Sequence, residues 1–104
     1  MSLFMAWKAA TIAASGTSSA EVDLGNNCDY LQILLPTLTS CTIKIQVAEG
    51  SGGTFQDLGS SITTATTTGG YTTTFRLGGY QFIKVVSSAT QTAERLIRVR
   101  GAKY

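Results

Sequence analysis

Unbroken alternation of polar and apolar residues in short segments is the strongest constraint on this chain. Thr42-Ile43-Lys44-Ile45-Gln46-Val47 alternates without a break, and Arg95-Leu96-Ile97-Arg98-Val99-Arg100 nearly does the same. Successive side chains of a strand point to opposite faces, so each segment should cover an apolar core with one face. Glu21–Leu24, Tyr30–Leu35, Thr54–Leu58, Tyr71–Leu77 and Tyr80–Val86 extend the series. Between them lie turn signals: Gly25-Asn26-Asn27, Pro36–Ser40, Glu49–Gly53, Gly78-Gly79 and Ser87–Thr92. Seven to eight strands spaced about ten residues apart predict an all-β fold, a single antiparallel β-sandwich (jelly-roll or Ig-like). Residues 1–19 are expected to form an N-terminal arm and loop, as a short helix or an extended segment, and residues 20–104 the sandwich. No period of about 33 to 45 residues suggests a solenoid or propeller.

The alternation also names a core. Leu31, Ile33, Ile43, Ile45, Val47, Phe55, Leu58, Phe75, Ile83, Val85, Ile97 and Val99 should point inward, joined by Leu35. Arg98 and Arg100 should then share an outer face with Leu96. Tyr30–Leu35 is so apolar that burial on both faces is expected, and Pro36 ends it because proline cannot donate to a ladder. Ser60–Gly70, rich in Thr, fits an edge strand or a long loop.

At 104 residues this is one domain, and only 13% of it is charged, against about a quarter in ordinary globular domains. The polar surface must come from Thr, Ser, Gln and Gly. Such surfaces suit strands but are poorly soluble alone, which points to extensive cover by other protein. The net charge of +2 is too small to indicate a nucleic-acid partner. No run approaches 18 apolar residues, so no membrane-spanning helix is expected. In the first residues Lys8 follows the apolar Leu3–Trp7 stretch, whereas a signal peptide carries its positive charge first. Cytoplasmic synthesis of the mature chain is expected.

Cys28 and Cys41 each open a strand-like segment, 28–35 and 41–48. If those segments pair antiparallel, their starting ends lie roughly 20 Å apart at ~3.3 Å per residue, beyond disulfide reach. Buried free thiols are expected. Two Cys with no His and no CxxC make a poor zinc site.

Catalytic equipment is sparse. The chain has no His, which removes the commonest acid–base group and any Ser–His–Asp triad. Glu21 and Asp23 share a strand face, a spacing compatible with a glycosidase pair or a Ca²⁺ site, and equally with a solvated face. Gly69-Gly70 and Gly78-Gly79 lack phosphate-loop context. No enzyme activity, catalytic residue, cofactor or metal is expected.

Lys84, Arg95, Arg98, Arg100 and Lys103 make the C-terminal third basic, with Tyr80, Phe82 and Tyr104 nearby. That combination suits a salt-bridged protein interface, where Arg is enriched, or a solvated face better than a single-stranded nucleic-acid groove. Phe4 and Trp7 sit in the arm, which either covers an edge of its own sandwich or anchors on a neighbouring subunit. Phe4, Trp7, Arg98, Arg100 and Tyr104 are the candidate interface residues.

Asp29-Tyr30-Leu31-Gln32-Ile33-Leu34-Leu35-Pro36, Gly53-Thr54-Phe55-Gln56-Asp57-Leu58 and Arg76-Leu77-Gly78-Gly79-Tyr80-Gln81-Phe82-Ile83-Lys84-Val85 resemble segments of small virion proteins of tailed bacteriophages, over roughly residues 20–101. The resemblance implies a β-sandwich module similar to capsid decoration (cement) proteins, head fibres or tail components. It implies a protein made in a bacterial host cytoplasm and located in the virion, first of all on the head surface. Its partners would be the major capsid protein or other virion proteins, and it would be a homo-oligomer, most simply a trimer, with no membrane or nucleic acid involved. That group has no shared catalytic motif, so no functional residue carries over. The alternative is a carbohydrate- or receptor-binding module of a phage fibre or tail, using an aromatic row of Trp7 with Tyr30, Tyr71 or Tyr80. A third reading is a single-strand nucleic-acid module using Arg95, Arg98 and Arg100, marked by steep salt dependence.

Overall fold

In a computed structural model of the chain, which describes residues 3–58 and 68–103, the alternating segments are strands. They are β1 (Leu3–Phe4), β2 (Lys8–Ile12), β3 (Val22–Leu35), β4 (Ile43–Ala48), β5 (Gln56–Asp57), β6 (Tyr71–Ser87) and β7 (Arg95–Lys103). All pairings between them are antiparallel. The sheet order is β1-β7-β3-β6-β4-β5, with β2 also on β7. Ser60–Thr67, most of the Thr-rich segment, lies outside the described residues.

β3 and β6 are the spine, with 14 and 17 residues where strands usually have about five or six. The Gly-rich turn signals at 25–27 and 78–79 do not end strands as expected. They lie inside them. Leu24–Asn27 of β3 faces only Gln81 across the ladder, and Leu77–Gly79 of β6 faces only Asp29. Gly25, Gly78 and Gly79 have φ of 91°, 75° and 104°, values glycine adopts without steric cost. Extra residues on one strand bend it and increase its twist, and strands switch layers at such corners. The early part of β3 and the late part of β6 join β4 and β5 in one layer. The late part of β3 and the early part of β6 join β7, β1 and β2 in the other. The shortest dimension of the molecule is 24 Å, room for two layers about 10 Å apart with their outer side chains.

One apolar cluster fills the space between the layers. It holds every residue expected inward except Phe55 and Leu58, which are half-buried. Phe55 precedes the two-residue β5 and packs its ring under the Lys84 ammonium, 4.5 Å from the centroid. Leu58 packs against the cluster from its rim. In β3 the buried positions change from even (Val22, Leu24, Cys28) to odd (Leu31, Ile33, Leu35) across the bulge, because an inserted residue exchanges the faces. The second half of β3 is not buried on both faces, since Leu34 keeps 40% exposure.

The arm lies on its own chain. Leu3↔Lys103 and Phe4↔Ala102, then Lys8↔Val99 through Ile12↔Arg95, pair β1 and β2 with β7. Between them the Met5 N–H donates to the Gly101 carbonyl at 2.9 Å. Ser19 then bridges Ile12, and Ser18 bridges Val86, which brings the chain back to β6.

β3 and β4 do not pair, because β6 lies between them. The antiparallel pair assumed for Cys28 and Cys41 is therefore absent, yet both thiols are free and buried. Burial pushes both thiol pKa values up.

Gln91 is fully buried at one end of the sandwich. Its Oε1 accepts from the Thr39 N–H at 2.9 Å and from Arg95 Nε at 3.3 Å, and its Nε2 donates to the Ala89 carbonyl at 3.1 Å. Its backbone N–H donates to the Gly16 carbonyl at 3.0 Å, and its carbonyl accepts from the Ser15 N–H at 2.7 Å. Three loops are thus tied through one amide side chain and its backbone.

These contacts set the stability of three variants. A Cβ on Gly101 would run into Cys28 Sγ and reach 3.0 Å from Cys28 Cβ, whereas a Cβ on Gly50 meets nothing within 4 Å. Gly101→Ala should therefore lose about 1–3 kcal/mol in urea denaturation, and Gly50→Ala less than about 0.5 kcal/mol. Gln91→Ala should lose about 1–3 kcal/mol, because the Thr39 N–H loses its acceptor.

Candidate interaction face

The outward positions of β7 are Leu96, Arg98 and Arg100, opposite in parity to the buried Ile97 and Val99. Antiparallel register sets Leu34 beside Arg98 and Gln32 beside Arg100 on β3. On the other flank of β7 the arm supplies Phe4 and Trp7. The Arg100 guanidinium carbon lies 4.4 Å from the Phe4 ring centroid and 4.7 Å from that of Trp7. Its Nε donates to Gln32 Oε1 at 2.6 Å. Arg98 reaches the same Trp7 ring at 5.9 Å. A cation over an aromatic face is attracted by the ring quadrupole, by about 0.5–1 kcal/mol at exposed sites, so Arg100 is held in place before any partner arrives.

Around this clamp the face stays apolar. Leu96 is 55% exposed and Leu34 is 40% exposed. Ala102 has the same outward parity but is fully buried outside the core cluster, in register between Phe4 and Tyr30. Four of the five candidate interface residues, Phe4, Trp7, Arg98 and Arg100, thus meet on one face, while Tyr104 lies outside the described residues. Gln32 and Leu34 were not singled out by the sequence. Their place on the face depends on β3 neighbouring β7, which periodicity does not reveal.

The other basic residues separate from this group. Arg95 has the opposite parity and turns to Gln91 Oε1, Thr39 and Thr92. The three arginines named for the nucleic-acid reading therefore do not share one face. Lys103 Nζ donates to Asn27 Oδ1 at 2.8 Å, and Lys84 covers Phe55. The expected aromatic row is also interrupted, because Trp7 is half-buried with Arg100 against its ring.

The carboxylates fasten loops. Glu21 accepts from the Ser51 hydroxyl at 2.6 Å and the Gly52 N–H at 2.7 Å, which pins the β4–β5 loop. Asp23 accepts from Gln81 Nε2 and the Gly25 N–H, both at 2.8 Å, which pins the bulge. Asp57 accepts from Gln46 Nε2 and Lys44 Nζ, both at 3.1 Å. Ser51 then Gly52 hold the Glu21 carboxyl below its ordinary range, as Gln81 then Gly25 do for Asp23, and Gln46 then Lys44 for Asp57. Such groups stay ionised at neutral pH. No cluster of three or more potential metal-ligating residues occurs among the described residues.

On the second layer the β4–β5 hairpin borders a shallow recess of about 530 Å³, with Glu49, Gln56, Asp57 and Tyr80 in its lining. Tyr80 is 37% exposed there.

No protein-family model matches the chain, and no curated protein does. Among solved structures it is similar to the SPBc2 prophage-derived protein YomS, with a TM-score of 0.65 at 13% identity, over 99% of this chain and 96% of that one. At that identity the likeness is one of fold. A second, looser likeness is to a chain from Bacillus endospore appendages, described as disulfide-linked pili, with a TM-score of 0.39 at 18% identity over 100% and 92% of the two chains.

The lowered carboxylate values fix the sign of the acid response. Each folded-state pKa lies below its unfolded value near 4, so the stabilisation is complete above the unfolded value and is lost as pH falls through the folded one. The urea midpoint should hold from about pH 7 to about pH 5 and fall below about pH 4. Asp23→Asn should make that fall shallower.

Proposed function

We propose that this chain is a non-enzymatic structural protein of a phage virion, most simply a capsid decoration protein that binds the head surface and bridges neighbouring capsomers. The observation that carries the reading is the outer face of β7, where Phe4 and Trp7 hold Arg100 beside the exposed Leu34 and Leu96. Aromatic residues and Arg dominate the energetics of protein interfaces. An arginine already fixed by two rings and Gln32 loses less freedom on binding. The low charge of the chain and the fold it shares with a prophage-derived protein support the same reading. Its partners are the major capsid protein or other virion proteins, and it works as a homo-oligomer, with a trimer the simplest arrangement.

A second reading, a carbohydrate- or receptor-binding module, is favoured by Tyr80, whose exposed ring stands beside a recess with Gln56 and Glu49. Glycan retention lost in Tyr80→Ala would move the assignment there.

The deciding experiment is mass spectrometry of purified particles from the host that encodes the chain, with the chain located on them by cryo-electron microscopy. The expected result is many copies on the head. Trp7→Ala and Arg100→Ala should each lower incorporation by about tenfold or more, with little change in thermal midpoint. Absence of the chain from every particle would end the proposal.

A further inference from the structure

The charges of this chain are unevenly placed. Lys8, Arg76, Arg95, Arg98, Arg100 and Lys103 all stand on the layer built from β2, β7 and the early part of β6. Only Lys44 and Lys84 lie on the other layer. Glu21, Asp23, Glu49 and Asp57 lie on that second layer, around β4, β5 and the early part of β3. The first layer retains just Asp29 and Glu94 against its cations. One side of the molecule is net positive and the other net negative, although the whole chain carries only +2. Summed over a surface, such an arrangement steers association between complementary sides.

Each side also presents a charge without an ionic partner. Glu49 is exposed at the β4–β5 recess and makes no side-chain hydrogen bond or ion pair among the described residues. Arg98 is exposed and, among the described residues, its guanidinium meets only the Trp7 ring. The recess offers what a guanidinium takes: carboxylate oxygens from Glu49 and an aromatic ring from Tyr80 to stack against its plane.

We infer that the Arg98 face of one copy docks on the Glu49 recess of a second copy of this chain. The inference rests on the assembly reading above and gives the subunit contact of its homo-oligomer. The two docking surfaces differ, so the contact is head-to-tail. It closes into a ring where the rotation permits and otherwise runs on as a filament. Docking covers Leu34 and Leu96, which neighbour Arg98.

The test is sedimentation equilibrium of the full chain in about 0.1 M and about 1 M salt, between which the screening length falls from about 10 Å to about 3 Å. Association at the lower salt and dissociation at the higher is expected. Arg98→Glu and Glu49→Arg should each weaken association by about tenfold or more, since each sets like charges face to face. The double variant Arg98→Glu/Glu49→Arg should regain it, which a folding defect would not allow. A wild-type chain that stays monomeric at the lower salt overturns the inference, as does association that ignores both salt and the two reversals. Retention of single-stranded DNA by the Arg98 face, lost in Arg98→Glu, would assign the face to nucleic acid and also overturn it. A monomer that still adds to phage particles removes the self-docking and leaves only the particle-binding part of the assembly reading standing. Self-association with absence from all particles does the reverse.

Discussion

The crossing of two bulges, Leu24–Asn27 on β3 and Leu77–Gly79 on β6, is the constraint on which the rest of this fold depends. A core this small cannot be enclosed by two long straight strands. Bending both at one level lets each serve two layers, so the longest ladder in the protein becomes its corner. The same bulge exchanges the faces of β3. Leu31, Ile33 and Leu35 turn inward after it, and Gln32 and Leu34 turn outward beside β7. Without that exchange Arg100 would have no amide neighbour and Leu34 would lie in the core. Gly101 is small because Cys28 fills the inside of the bend.

The alternating periods made the strand class and most of the core legible, since a period of two matches a half-buried strand and not the 3.6 of a helix. Strand ends were less legible. A glycine pair such as Gly78-Gly79 announces positive φ, and positive φ serves a bulge as well as a turn. Only the partner strand decides which, and the partner is remote in sequence. Phe55 misled for a related reason: it precedes a two-residue strand at the rim, where Lys84 covers the ring and the layers do not. Gln91 was invisible, because a polar residue in a polar loop carries no mark of burial. Its role comes from the convergence of three loops that local sequence does not record.

The candidate face shows the same division. Phe4, Trp7, Arg98 and Arg100 stood out by residue type, and the outward parity of the two arginines followed from alternation. Their meeting required the arm to lie on β7, one of two arrangements open to it. The aromatic clamp also underlies a chemical contrast along β7. Arg100 is fixed by two rings and an amide, Arg95 is drawn into the loop hub at Gln91, and Arg98 keeps its hydrogen-bonding capacity. Three arginines on one strand thus do three different things, set by neighbours that belong to other strands.

The pairing of β1 and β2 with β7 joins the first described strands to the last. Among the described residues it carries the largest sequence separation of any strand pairing. Contacts of that kind close late, because the loop entropy between their ends is met before any stabilisation returns. Among the described residues β1, which bears Phe4, and β2, which follows Trp7, pair in a ladder only with β7, so the aromatic half of the face depends on the strand that carries its arginines.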